Sequence, residues 1–274
     1  MEGLIDRGML ADARDALRRR IASEGGTARN LLLRGLILYR QGRYEQALPD
    51  LQRSFGLDET DPDTSKALGL CLVKLGREDL AETFFEIAVV LAPEDASSHY
   101  YLALNAYTTK RFDRAVASFE RSLELDPLSV DGHGFLGRSY EAVGDVGRAA
   151  SQYRRAVELN RERQRRSGVP PLLLGSLLFR QERPEQAEHL LREALRYDDR
   201  SALAHYWLGL VLERQPDSEG AIAALGRAAE LAPDDHRPHY ALARIHRKAG
   251  NAGLADESLR RFRELRTRSE AETF

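Results

Sequence analysis

One spacing constrains this 274-residue chain more than any other feature: alanine recurs every 34 residues. The series begins with Ala13, Ala47, Ala81, Ala115 and Ala149. After a shift of four residues it continues with Ala187, Ala221 and Ala255. A fixed period of this length predicts one supersecondary element copied along the chain, because each copy buries its apolar face against its neighbours.

Each 34-residue repeat carries a second small residue. If Ala28 is slot 1, the alanine series falls at slot 20, and slot 8 holds Gly35, Gly69, Ala103, Gly137, Gly175, Gly209 and Ala243. Small residues on two facing helices let their backbones approach closely. Glycines such as Gly42 and prolines such as Pro93 fall where helices would end. The pattern predicts a packed pair of helices in every repeat.

The same positions carry a family resemblance. The residues in one repeat that show it are Leu136, Gly137, Tyr140, Gly144, Ala149, Tyr153, Ala156 and Leu159. This pattern resembles the tetratricopeptide repeat family, and it covers seven repeats. The resemblance implies an all-α fold, an α-solenoid in which antiparallel helix pairs stack into a right-handed superhelix. It also implies that the first helix of each pair lines a concave groove that binds peptides.

The register divides the chain into five segments. They are a truncated N-terminal repeat (1–27), four repeats (28–163), an insertion (164–167), three repeats (168–269) and a tail (270–274). Because Gly8, Ala13 and Leu17 are in register, we expect a longer parent or a cleaved segment to supply the missing half helix. The insertion should add about one helical turn or lengthen a loop. Pro49 lies inside a second helix, which it should kink.

Candidate sites for chemistry are explained by the repeat. Four histidines share slot 4, which indicates packing or surface roles: His99, His133, His205 and His239. Cys71 lies at slot 10 among apolar residues and is expected to be buried. Asn105 and Ser139 share that slot, so their neighbouring repeats could share a hydrogen bond or a water. The sequence therefore predicts no catalytic residues, no metal ligands and no cofactor.

In the family, slots 2, 5, 6, 9, 12 and 13 face the groove. Nine of the chain's twenty aromatic residues occupy them, together with eleven basic and four acidic residues, although the whole chain carries a net charge of −2. Aromatic surface suits peptide binding, and arginine suits carboxylates. The predicted groove residues are Tyr39, Arg40, Lys66, Lys74, Tyr100, Tyr101, Tyr107, Phe135, Arg138, Phe179, Arg180, Tyr206, Trp207, Arg214, Arg237, Tyr240, Arg244, Arg247 and Lys248.

The leading interpretation is a non-enzymatic protein-interaction scaffold that holds an acidic peptide in this basic, aromatic groove. A structural module that self-associates through exposed repeat ends is the alternative, since the truncated repeat would leave Leu10, Ala13 and Leu17 partly uncovered. Single-stranded RNA is disfavoured by the strict spacing and the acidic overall balance. No apolar run is long enough to span a membrane. The sequence assigns no compartment, cytoplasmic or exported.

Overall fold

The computed structural model describes residues 3, 8–215 and 217–271, and all regular structure in that part is helical. The helices are α1 Leu10–Glu24, α2 Ala28–Arg40, α3 Tyr44–Leu57, α4 Pro62–Lys74, α5 Glu78–Leu91, α6 Ala96–Thr108, α7 Phe112–Leu125, α8 Val130–Ala142, α9 Val146–Glu162, α10 Val169–Arg180, α11 Pro184–Tyr197, α12 Ala202–Arg214, α13 Ser218–Leu231, α14 Arg237–Lys248 and α15 Ala252–Ala271. The predicted all-α fold of paired helices is confirmed. Of the predicted tail, residues 272–274 lie outside the described part.

The helices pack into two compact halves, residues 1–149 and 150–274, with the boundary inside α9. In the N-terminal half, α2/α3, α4/α5 and α6/α7 form pairs, and the first helices α2, α4, α6 and α8 contact one another in succession. In the C-terminal half the pairs are α10/α11, α12/α13 and α14/α15, and α10, α12 and α14 contact in succession. Within each half, the first helices therefore lie next to one another.

The small residues of slot 8 fit against a large residue of the paired helix. A Cβ atom added to Gly69 would lie 2.5 Å from Phe85 Cε1, and one added to Gly209 would lie 2.5 Å from Leu225 Cγ. At Gly69 and Gly209 the paired helices are therefore too close for an added Cβ, as the small-residue pattern predicts. The alanine of slot 20 is fully buried in these pairs, as Ala81 shows.

The turn inside each repeat uses a left-handed residue at slot 15. Glycine supplies it at Gly42, Gly76, Gly144 and Gly250, with φ between 68° and 84°. Lys110 and Glu182 adopt the same conformation, with φ of 62° and 60°. The left-handed region suits glycine because it has no Cβ. These glycines close the first helices, as their positions predict.

The insertion extends a helix and forms a short loop. α9 spans 17 residues, whereas five other second helices, α3, α5, α7, α11 and α13, span 14 residues each, and α15 spans 20. The Asn160 side chain holds the following loop by donating to Ser167 O (2.9 Å) and accepting from Ser167 N (2.8 Å). The insertion therefore adds nearly one turn to α9 and also lengthens the loop that follows it, so each of the two predicted alternatives is partly correct. Helix α3 continues through Pro49 to Leu57.

Of the two links expected between Asn105 and Ser139, a hydrogen bond or a water, the direct hydrogen bond is wrong. Asn105 and Ser139 do not bond to each other: Asn105 Nδ2 donates to Glu78 O (3.2 Å), and Ser139 Oγ donates to Phe135 O (2.9 Å). Each side chain therefore donates to a different backbone carbonyl, Asn105 to one on α5 and Ser139 to one on its own helix α8.

The N-terminal helix is also better covered than the register suggests. Ala13 and Leu17 of α1 are buried against Leu33 and Ile37 of α2, and Leu10 is partly buried beside them. Of the three residues expected to be partly uncovered, Ala13 and Leu17 are therefore buried, whereas Leu10 remains partly exposed.

Candidate functional site

The slot-4 histidines hold turns. The Nε2 atoms of His99, His133 and His205 lie 2.9, 3.2 and 3.0 Å from backbone carbonyl oxygens six residues earlier, in the preceding turns. Because a carbonyl only accepts, each ring donates a proton there. Burial lowers the pKa of His239, the fourth member. Cys71 is buried, and burial raises its pKa to about 11. These contacts and this burial indicate structural roles for the histidines and for Cys71.

The predicted groove rings of the N-terminal half pack on one another. Tyr100 lies edge-on to Tyr101 (5.6 Å between centroids) and to Phe135 (6.3 Å). Tyr107 lies edge-on to Phe135 (5.9 Å), and Phe135 stacks on Phe119 of α7. Burial and the charge of nearby Asp131 raise the pKa of Tyr100 to about 12. Much of the aromatic enrichment in this half is therefore packing between first helices.

Lys66 is held by carboxylates of its own chain. Its Nζ lies 2.7 Å from Asp95 Oδ2 and 3.0 Å from Asp63 Oδ1. Asp95 also caps α6 by accepting from Ser97 N and Ser98 N. Burial of Asp95 raises its pKa, but the hydrogen bonds from Lys66 and the two serines outweigh this and lower the pKa overall. Lys66 is therefore a neutralised, structural lysine.

The remaining predicted residues of this half are spread along its first helices. Tyr39 is half-buried, with its ring 5.3 Å from Tyr44. Arg40 and Lys74 are exposed in the last turns of α2 and α4. A cation there interacts favourably with the carbonyl end of the helix dipole, which accounts for Arg40 and Lys74 without a ligand. Arg138 lies over the Tyr107 ring at 5.2 Å.

The C-terminal half gathers predicted residues into one pocket. This cavity of about 470 Å³, the main pocket, lies among α10, α12 and α14. Its lining residues are Phe179, Tyr206, Leu210, Glu213, Arg214, Arg237, Tyr240, Ala241 and Arg244. Six of them belong to the predicted groove set. The arrangement combines apolar walls with arginine side chains, which is the chemistry that binds a carboxylate beside an apolar group.

The three arginines of the main pocket differ in their partners. Arg244 Nε donates to Glu213 Oε1 (2.6 Å), and its Nη2 donates to Glu213 Oε2. Arg237 forms a similar fork with Asp235, with Nη2 2.7 Å from Oδ2. The hydrogen bonds that both guanidinium groups donate to these carboxylates raise their pKa. Two of the three charges are therefore compensated within the chain.

Arg214 is arranged differently. Its guanidinium lies over the Phe179 ring at 4.6 Å from the centroid. Among residues 3, 8–215 and 217–271, no carboxylate forms an ion pair with it. Stacking on a ring leaves the edge donors of a guanidinium available. Arg214 is thus the cation of the main pocket that can accept a ligand carboxylate without first losing one.

A second cavity is lined by α14 and α15. This side pocket of about 300 Å³ is lined by Tyr240, Ala243, Arg244, Arg247, Lys248 and Leu259. Tyr240 and Arg244 line both pockets. Tyr240 is 51% exposed, although its ring packs against Phe262 of α15 at 5.1 Å. Arg247 and Lys248 are exposed, and the described residues offer them no ion-pair partner.

Two predicted residues of this half do not line either pocket. Trp207 lies beside the main pocket, with its ring 5.8 Å from Phe179 and 5.5 Å from Tyr206. Arg180 turns back onto its own helix, where its Nε donates to Ser176 O (3.3 Å).

The charge count over the groove slots overstates the free positive charge. It misses Asp95 and Asp235, which neutralise Lys66 and Arg237 but lie at slot 34, outside the counted set. The signal that could have found Asp95 was its position before Ser97 and Ser98, which is typical of a helix cap.

Comparison with known proteins agrees with the architecture. The sequence profile of the tetratricopeptide repeat matches residues 3–62, 32–96, 66–130, 100–164 and 172–236. These matches cover more than half of the chain, which belongs to the tetratricopeptide repeat family. Members of this family are generally interaction scaffolds that lack catalytic activity. No curated protein sequence matches the chain.

Several solved structures share the fold. The APC/C hetero-tetramer Cut9–Hcn1 has a TM-score of 0.73 at 16% identity, over 88% of this chain and 47% of that chain, so this chain spans about half of it. Pseudomonas aeruginosa pilF has a TM-score of 0.68 at 17% identity, over 84% and 96%. YrrB, described as a TPR protein with an unusual peptide-binding site, has 0.55 at 20% identity, over 66% and 91%. These likenesses show the fold alone.

In the described part of the chain, none of the helices combines the length and the apolarity that crossing a bilayer requires.

Proposed function

We propose that this chain is a non-catalytic protein-interaction module that binds an acidic peptide segment of a partner on the first helices of its C-terminal half. The observation that carries the proposal is the main pocket, where six predicted groove residues converge. Arg214 there has no carboxylate partner among the described residues. The peptide-binding site reported for YrrB supports the same use of this fold. The structural surroundings of the histidines and of Cys71 support the absence of catalysis.

The test is a titration that reads the fluorescence of Trp207, the only tryptophan of the chain. Because Trp207 contacts Phe179 and Tyr206, occupancy of the main pocket should change its emission. Pools of acidic peptides, pools of basic peptides and a single-stranded RNA are titrated at low and high salt. We expect a salt-sensitive response to the acidic pool alone, since screening weakens attraction between exposed charges.

A variant tests the same surface. Substituting Arg244→Glu together with Arg247→Glu should abolish the response to acidic peptides, because it reverses two charges that line the pockets. Far-UV circular dichroism checks that helicity is retained. Silence of the wild-type protein toward all three ligands would overturn the proposal and make self-assembly, measured by light scattering, the working hypothesis.

A further inference from the structure

The two pockets differ in how many of their cations lack an ion-pair partner among the described residues. In the main pocket, Glu213 and Asp235 each occupy one arginine by a two-point contact, and Arg214 remains. A long run of acidic side chains would have to displace Glu213 or Asp235 to find further partners there. Breaking such a fork costs the hydrogen bonds to a charged group. The main pocket is therefore suited to one incoming carboxylate.

The two pockets share two lining residues, the half-exposed Tyr240 and Arg244, whose charge Glu213 compensates. Tyr240 therefore offers an aromatic surface where the pockets meet, and Leu210 and Ala241 add apolar surface to the main pocket. In the side pocket, the cations that have no ion-pair partner in the described part of the chain are Arg247 and Lys248. A chain crossing α14 would therefore meet one cation, then an aromatic surface, then two more cations.

From this order we infer that the site reads an internal segment in which two acidic residues flank an apolar side chain. The first carboxylate binds Arg214, the apolar side chain packs on Tyr240, and the second carboxylate binds Arg247 and Lys248. The inference rests on the proposed function and adds to it the pattern of the ligand. The bidentate geometry of arginine and the apolar area of the ring both contribute to affinity.

The first experiment compares two peptides of identical composition, blocked at both ends, with a third peptide of different composition. One carries two glutamates that flank a leucine, and the second carries the two glutamates adjacent with the leucine moved to the end. A third replaces both glutamates by glutamine but has a free C-terminal carboxylate. Binding is measured by calorimetry and by Trp207 fluorescence. We expect the flanked peptide to bind about tenfold more tightly than either of the others.

The second experiment uses variants of the protein. Arg214→Gln and Arg247→Gln should each weaken binding of the flanked peptide by about tenfold. Arg260→Gln removes the same charge from an exposed position on α15 that lines neither pocket, and should change affinity by less than about twofold. Tyr240→Ala should weaken the leucine peptide more than a matched alanine peptide, which a double-mutant cycle measures.

The outcomes separate this inference from the proposed function. Equal or tighter binding of the peptide with adjacent glutamates overturns the pattern while leaving acidic-peptide binding intact. Tightest binding of the free C-terminus peptide overturns it in favour of terminal-carboxylate recognition. Equal losses in the Arg260→Gln protein show diffuse electrostatic attraction, which also overturns it. If no peptide binds the wild-type protein, the proposed function itself fails.

Discussion

Lys110 and Glu182 hold a backbone conformation that the other described repeats assign to glycine. Their φ angles of 62° and 60° match those of Gly42 and Gly76 at the same slot. An L-residue with a Cβ pays about 1 kcal/mol or more in this region, whereas glycine does not. Both residues are exposed. The turn is therefore strained in two repeats, and the packing of the two helices that it joins holds the backbone in this conformation.

Replacing the strained residue should stabilise the protein. Lys110→Gly should raise the free energy of unfolding by about 0.5–1 kcal/mol, because relief of the strain exceeds the added freedom of glycine in the unfolded chain. Urea denaturation followed by circular dichroism measures it. Gly76→Ala is the reverse control, since its added Cβ meets no atom within 4 Å and only backbone strain acts. An unchanged or lower stability of Lys110→Gly would contradict the strain.

At the scale of a helix pair, stability depends on how closely two backbones approach. Gly209 and Gly226 lie on the paired helices α12 and α13 and differ in their surroundings. A Cβ at Gly209 would overlap Leu225, whereas one at Gly226 would meet open space. Substituting alanine at each glycine therefore compares an added Cβ that overlaps a neighbour, at Gly209, with one that does not, at Gly226.

We expect Gly209→Ala to lower the free energy of unfolding by about 1–3 kcal/mol through overpacking. Gly226→Ala should raise it by about 0.5–1 kcal/mol, because alanine is the better helix former. Thermal and urea denaturation of both variants give the comparison. If both substitutions stabilise the protein, the close approach of α12 and α13 does not limit slot 8.

The sequence predicts the positions of the helices, but it does not predict which side chains form ion pairs. The 34-residue period locates the helices, the small slots and the glycine turns, because each depends on local spacing. It cannot show which cations are free, since the ion pairs of Lys66 and Arg244 join residues about one repeat apart through rotamers that periodicity does not encode. The groove residues converge in the C-terminal half for a reason visible only in three dimensions: α10, α12 and α14 contact in succession.

At the scale of the whole chain, two compact halves imply that unfolding need not be one event. In a stack of repeats each pair contacts only its neighbours, so stability is approximately a sum of local terms. Trp207 reports the C-terminal half, whereas circular dichroism reports helices of both halves.

This difference makes a test possible. In the Gly209→Ala protein, the Trp207 transition should shift to lower urea than in the wild type, while the circular dichroism transition becomes biphasic. Wild-type protein measured by the same two probes is the control. Coincident transitions in the variant would show instead that the halves unfold as one cooperative unit.

The close fit of slot 8 has a consequence for how such a chain can change in length. Gly35 meets Leu51, Gly69 meets Phe85 and Gly209 meets Leu225, so each fit is completed inside a single pair. Duplicating or deleting a whole repeat in the gene would copy or remove both partners together. A chain that grows by complete repeats therefore keeps each glycine together with the large residue that packs on it. If only one of the two residues is substituted, a second substitution within the same 34 residues is needed to restore the packing.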